Sequence, residues 1–157
     1  MSSVRRRPQR APGRTKSAPV ERTLTAPTLV EYQQAAKLRA ALRAFLRRGE
    51  QVARAHGLTP QRHLLLLMIK GAPDGSQQAT VMDLVHRLAL GQSAVTELID
   101  RCESAGLVVR ASSESDGRVV LVRLTPEGER RLAGTVSSLH AQRAALRGVL
   151  SGDPKPK

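Results

Sequence analysis

Apolar residues recur at helical spacing from Leu29 to about Ala55, at Leu38, Leu42, Phe45 and Val52, with Arg39, Arg43, Arg47 and Arg48 among the intervening positions. This predicts a long amphipathic helix that ends near Gly57. Thr59-Pro60 supplies an N-cap and a first-turn proline for a second helix, Gln61 to Lys70, whose nearly continuous apolar stripe predicts burial on most sides. A turn-rich loop, Gly71 to Ser76, follows. Thr80 with Asp83 three residues on makes a capping-box start for a helix through Leu88, with Val81, Leu84, Val85 and Leu88 facing inward.

After the break Ala89-Leu90-Gly91, the next helix runs from Gln92 to Ala105. It buries Val95, Leu98, Ile99 and Cys102 and shows Gln92, Ser93, Thr96, Glu97, Asp100 and Arg101 on its other face. Gly106 closes it as a C′ residue. The β-rich runs Leu107 to Val109 and Val119 to Val122 flank the polar, turn-forming stretch Ser112 to Gly117, which predicts a β-hairpin. Thr125-Pro126 then opens a final helix with an apolar seam at Leu132, Val136, Leu139, Leu146 and Leu150.

Two short helices joined by a three-residue turn make a helix-turn-helix, and a hairpin with a polar tip immediately after it makes the wing of a winged helix. The predicted fold class is mainly α with one small β-hairpin.

Composition narrows the chemistry. The 157 residues hold 40% apolar residues, enough for one core, but one Tyr and one Phe and no Trp, which excludes readers that stack bases on several rings. The formal charge is +13, which favours polyanionic partners. Residues 1 to 22 carry seven basic side chains against one acidic, so +6 belongs to an N-terminal segment and +7 to the rest. That segment also contains Pro8, Pro12 and Pro19 and no periodicity, so it cannot offset the entropy of ordering. We read residues 1–27 as a disordered basic tail and residues 152–157 as a flexible end.

No apolar run reaches the ~18 residues of a membrane span. The single Cys102 gives no internal disulfide and no cysteine-based metal cluster, and its place on an apolar helix face reads as a small buried hydrophobe. A cytoplasmic setting follows. His56, His63, His86 and His140 lack metal-ligand spacing, and no phosphate loop, nucleophile elbow or paired carboxylates point to an enzyme. No cofactor is expected.

The segment from Leu58 to Leu132 resembles the MarR family of winged-helix regulators. The likeness rests on Val81-Met82-Asp83-Leu84-Val85-His86-Arg87-Leu88, on Val95 to Arg101, on Ala105 to Arg110, on Ser115-Asp116-Gly117-Arg118, and on Leu124-Thr125-Pro126-Glu127-Gly128. The resemblance implies a winged helix-turn-helix core (about 58–125) within a 28–151 domain. Dimerisation helices at about 29–56 and 126–150 would flank that core. It also implies a homodimer on a pseudo-palindromic double-stranded DNA operator, acting as a repressor and answering to a small-molecule effector. A two-fold dimer would set two recognition helices about 34 Å apart.

The backbone amides of Gln92 and Ser93 suit a phosphate, Gln92 can bridge adenine N6 and N7, and the Thr96 methyl can touch a thymine methyl. Glu97 departs from the family, whose members often place a basic residue there; its carboxylate can accept from cytosine N4. The resemblance implies that Arg101, steadied by Asp100, supports backbone contact, that Arg110 is a DNA-binding residue, and that Asp116 positions Arg118 for the minor groove. The plain alternative for Asp116-Gly117 is a turn that needs their backbone angles. Two other functions remain open: a nonspecific DNA-coating protein and a winged helix used for protein interaction.

Overall fold

Threonine begins four of the helices, because its hydroxyl accepts a bond from an amide that the first helical turn leaves unpaired. In the computed structural model, which describes residues 26–113 and 116–151, the elements run in this order: α1 (Leu29–Ala55), α2 (Pro60–Lys70), β1 (Gln78–Ala79), α3 (Val81–Leu88), α4 (Gln92–Ser104), β2 (Val108–Ser112), β3 (Val120–Leu124), α5 (Pro126–Ser138) and α6 (His140–Ser151). Thr28, Thr59, Thr80 and Thr125 cap α1, α2, α3 and α5. Thr28 with Glu31 and Thr80 with Asp83 complete reciprocal capping boxes. The Thr80 bonds hold the Asp83 carboxyl below its ordinary pKa. The tail expected at 1–27 falls outside the described residues up to residue 25, and the flexible end at 152–157 lies wholly outside them.

The core forms where α2, α3, α4 and the sheet converge. Leu65, Leu66, Ile69, Leu84, Val95, Ile99, Cys102 and Val122 are all fully buried. All four inward residues expected on α4 are buried, Cys102 among them, and burial pushes its thiol up to about 11.

The hairpin extends beyond the expected strands and gains a third member. β3 pairs antiparallel with β2, Val108 opposite Leu124 and Ser112 opposite Val120, and with β1 on its other edge, Ala79 opposite Val122. The two-residue β1 is too short to show a period.

The final helix breaks in two. At Leu139 the amide bonds to Thr135 and Ser137 carbonyls, and α6 beyond it packs along α1. The expected seam therefore divides: Leu132 and Leu139 are buried, whereas Leu150 is 62% exposed and α6 buries nothing fully. The first helix behaves likewise, with Val52 buried but Leu38, Leu42 and Leu46 exposed.

Half-buried His63, on α2, has its pKa lowered, first by desolvation and then by Arg143 on α6. The unfolded chain binds this proton more readily, so stability should fall as pH drops through the ordinary value of 6.5. Urea midpoints at about pH 7.5 and pH 5.5 test this: His63→Gln should show a smaller loss than the parent chain, and equal losses would remove His63 as the cause.

Candidate nucleic-acid interface

The turn between α3 and α4 decides how α4 is presented. Ala89, at φ 52° and ψ 42°, takes the left-handed conformation that ends α3, a position where glycine is usual. Gly91, the glycine of the turn, is instead extended at φ −65° and forms the N-cap of α4. It has no side chain to donate a cap, so the first amides of α4, at Gln92 and Ser93, stay uncapped. An anion at this end meets free N–H groups and the positive end of the helix dipole. Gln92 and Ser93 are exposed and Thr96 is half-buried beside them. These three form one polar face opposite buried Val95, Leu98 and Ile99.

Glu97 is exposed on the same face, but its carboxylate accepts a bond from Arg101 Nη1 at 3.0 Å. The pair removes much of the repulsion that a lone carboxylate would present to phosphate, and it occupies Arg101. Asp100 does not hold Arg101 as expected. It accepts from Arg110 Nη2 at 2.6 Å, and Arg110 also engages Glu103, whose carboxylate accepts from the Arg110 amide at 3.3 Å. The Asp100 bond is the leading cause that raises the Arg110 pKa. Arg110 is thus a clamp that ties β2 to α4, with its guanidinium already engaged by two carboxylates. Sequence spacing could not show this, because the pairing depends on how the hairpin folds back.

At the hairpin tip the Asp116 carboxylate accepts from the Arg118 amide at 3.0 Å, and the Asp116 carbonyl accepts from the Val119 amide at 2.9 Å. Asp116 therefore fixes the Arg118 backbone and leaves its guanidinium without a partner among the described residues. Gly117 is not in the left-handed region, so the turn does not depend on glycine there. Arg123, exposed on β3, is a second cation with no partner among the described residues. It was missed by sequence reasoning, although the alternation Val122-Arg123-Leu124 around it was the available signal.

Residues 56–119, which span this helix pair, β2 and the turn that follows it, match the MarR family. Over this stretch the chain is similar to the MarR family. It is 32% identical over 83 residues to the uncharacterised HTH-type transcriptional regulator YsmB of Bacillus subtilis, an alignment covering 53% of this chain and 54% of that protein. The chain spans about half the length of the curated relatives it matches. Among solved structures it resembles AbsC, a MarR family transcriptional regulator from Streptomyces coelicolor. That likeness has a TM-score of 0.60 and 22% identity over 83% of this chain and 84% of that one. It also resembles a mutant MarR from E. coli complexed with operator DNA, with a TM-score of 0.57 and 21% identity over 82% and 89% of the two chains. These likenesses establish the MarR fold, a mainly helical winged helix-turn-helix.

The fold also explains the MarR-like run Leu124-Thr125-Pro126-Glu127-Gly128. The Thr125 hydroxyl donates to the Gly106 carbonyl at 2.6 Å and the Thr125 amide to the Leu107 carbonyl at 3.0 Å, while the Gly128 amide returns to the Thr125 hydroxyl at 3.0 Å. This docks the start of α5 onto the end of α4. Next to it, Glu127 accepts from Arg130 and Arg131, which holds its carboxyl down to about 2. Among the described residues no group of three or more His, Cys, Asp or Glu could hold a metal ion, and no helix is long and apolar enough to cross a membrane.

Proposed function

We propose that this protein is a homodimeric transcriptional regulator, a repressor rather than an enzyme, that reads pseudo-palindromic double-stranded DNA in the cytoplasm. The observation that carries the reading is the uncapped, outward polar face of α4 beside a wing whose Arg118 guanidinium has no partner among the described residues. Gln92, Ser93 and Thr96 enter the major groove, Glu97 accepts from cytosine N4 with Arg101 as its counter-charge, and Arg118 reaches the minor groove. Arg110 and Asp116 act indirectly by holding wing and helix in place.

The exposed leucines of α1 and the exposed Val149 and Leu150 of α6 support dimerisation. The 27 residues of α1 span about 40 Å at 1.5 Å each, enough to bridge two protomers. A small-molecule effector would find buried polar atoms without hydrogen-bond partners among the described residues at His63 Nε2 and Gln142 Oε1.

Selection of bound fragments from random DNA at physiological salt tests the reading. Enrichment of an inverted repeat is the expected result. Binding without enrichment would replace it with a nonspecific coating protein, and weak binding even at low salt would favour a protein-interaction module. Arg118→Ala should weaken binding at all sequences and make the slope of log K against log salt shallower by about one. An unchanged slope would return the wing to a purely structural role.

A further inference from the structure

The charge of this protein is not on its reading head. Residues 56–139, which include α2 to α5 and the sheet, hold nine basic and nine acidic side chains and are neutral. The whole +13 lies in residues 1–55 and 140–157. Within the neutral part the cations are largely committed: Lys70 to Glu129, Arg101 to Glu97, Arg110 to Asp100 and Glu103, Arg130 and Arg131 to Glu127.

On α1 the situation is reversed. Arg39, Arg43 and Arg47 recur every fourth residue, are exposed, and have no ion-pair or hydrogen-bond partner among the described residues. They stand, with Ala36 and Ala40, on one open face of α1. The carboxylates of α1 do not serve them, since Glu31 is bound to its own cap at Thr28 and Glu50 pairs with Arg54 at 3.5 Å. Like charges four residues apart disfavour a helix, so the sequence keeps a ridge that is unfavourable in the absence of a counter-charge.

We propose that this ridge is a second duplex-binding surface, so that one dimer holds two segments of double-stranded DNA at once. The inference rests on the DNA-binding reading above. Three observations favour DNA over a small anion. The face is open, so a small anion on it would stay exposed to water and screened. The ridge runs about 12 Å along the helix at 1.5 Å per residue, a length over which a duplex presents about seven charges. The ridge also lies within the strongly basic part of the chain, which suits an extended polyanion.

The surface is separate from the reading head. The packing partners of α1 are α2, α5 and α6. Leu38, Leu42 and Leu46 each precede a ridge arginine by one residue, about 100° around the helix, while Leu42 and Leu46 follow Arg39 and Arg43 by three, so the leucine stripe borders the ridge.

The test uses the full chain at physiological salt, with one short duplex on beads and a second, fluorescent duplex in solution. The parent protein should retain the second duplex. R39Q/R43Q/R47Q should lower that capture at least about tenfold while changing single-duplex affinity less than about threefold, and the triple lysine variant should restore capture. Unchanged capture by the glutamine variant would overturn the proposal, because the two reading heads would then be holding the two duplexes. Single-duplex binding without any capture by the parent protein would also overturn it. So would tripolyphosphate binding that depends on the ridge when capture does not. Absence of single-duplex binding is a separate result, which removes the DNA-binding reading itself.

Discussion

Gly128→Ala should lower stability by about 3 kcal/mol, near the upper end of overpacking costs, and the melting midpoint by roughly 10 °C. A Cβ at Gly128 would collide with the Leu107 carbonyl oxygen and stand 3.1 Å from the carbonyl carbon. The obstacle is backbone at the end of α4, held by the Thr125 amide, and cannot swing aside as a flexible side chain could. Gly134→Ala is a useful contrast, because there the obstacle is the His56 ring at 2.6 Å. Calorimetry on both variants should show the larger loss for Gly128→Ala. A drop below about 1 kcal/mol would mean that α5 can shift away from α4 at little cost.

The second large effect is expected at the protomer boundary. Leu42 and Leu46 are 45% and 55% exposed, with no apolar cover in their own chain for that surface. Burying a leucine contributes about 1.5–3 kcal/mol, and a two-fold interface counts each residue twice. The double variant Leu42→Asp/Leu46→Asp should therefore raise the dimer dissociation constant by more than about a thousandfold. Sedimentation at micromolar concentration should show a monomer with unchanged helix content, and affinity for an inverted repeat should collapse with it. A variant that sediments as a dimer would place the seam elsewhere than on α1.

Much of this architecture was readable from local signals. The threonine caps, the inward set Val95, Leu98, Ile99 and Cys102, and the Gly106 stop each depend on neighbours within one or two helical turns. What escaped depends on distant groups. The break at Leu139 carries no proline or glycine, and apolar spacing continues across it, so only the packing of α6 along α1 reveals it. In the candidate site, the free end of α4 and the Asp116 turn were legible, whereas the engagement of Arg110 was not. The carboxylates that occupy Arg110 lie seven and ten residues away on another element. The ridge on α1 was visible as spacing, but its lack of partners is a property of the folded chain.

The Arg110 clamp fastens the wing strand to α4, and the contacts of Thr125 and Gly128 fasten α5 to the end of the same helix. These contacts tie the base of the wing and the start of α5 to the same end of α4. Within the proposed dimer, an effector that leaves these ties intact would act on the separation and tilt of the two heads, a distance to be matched or mismatched to one turn of DNA.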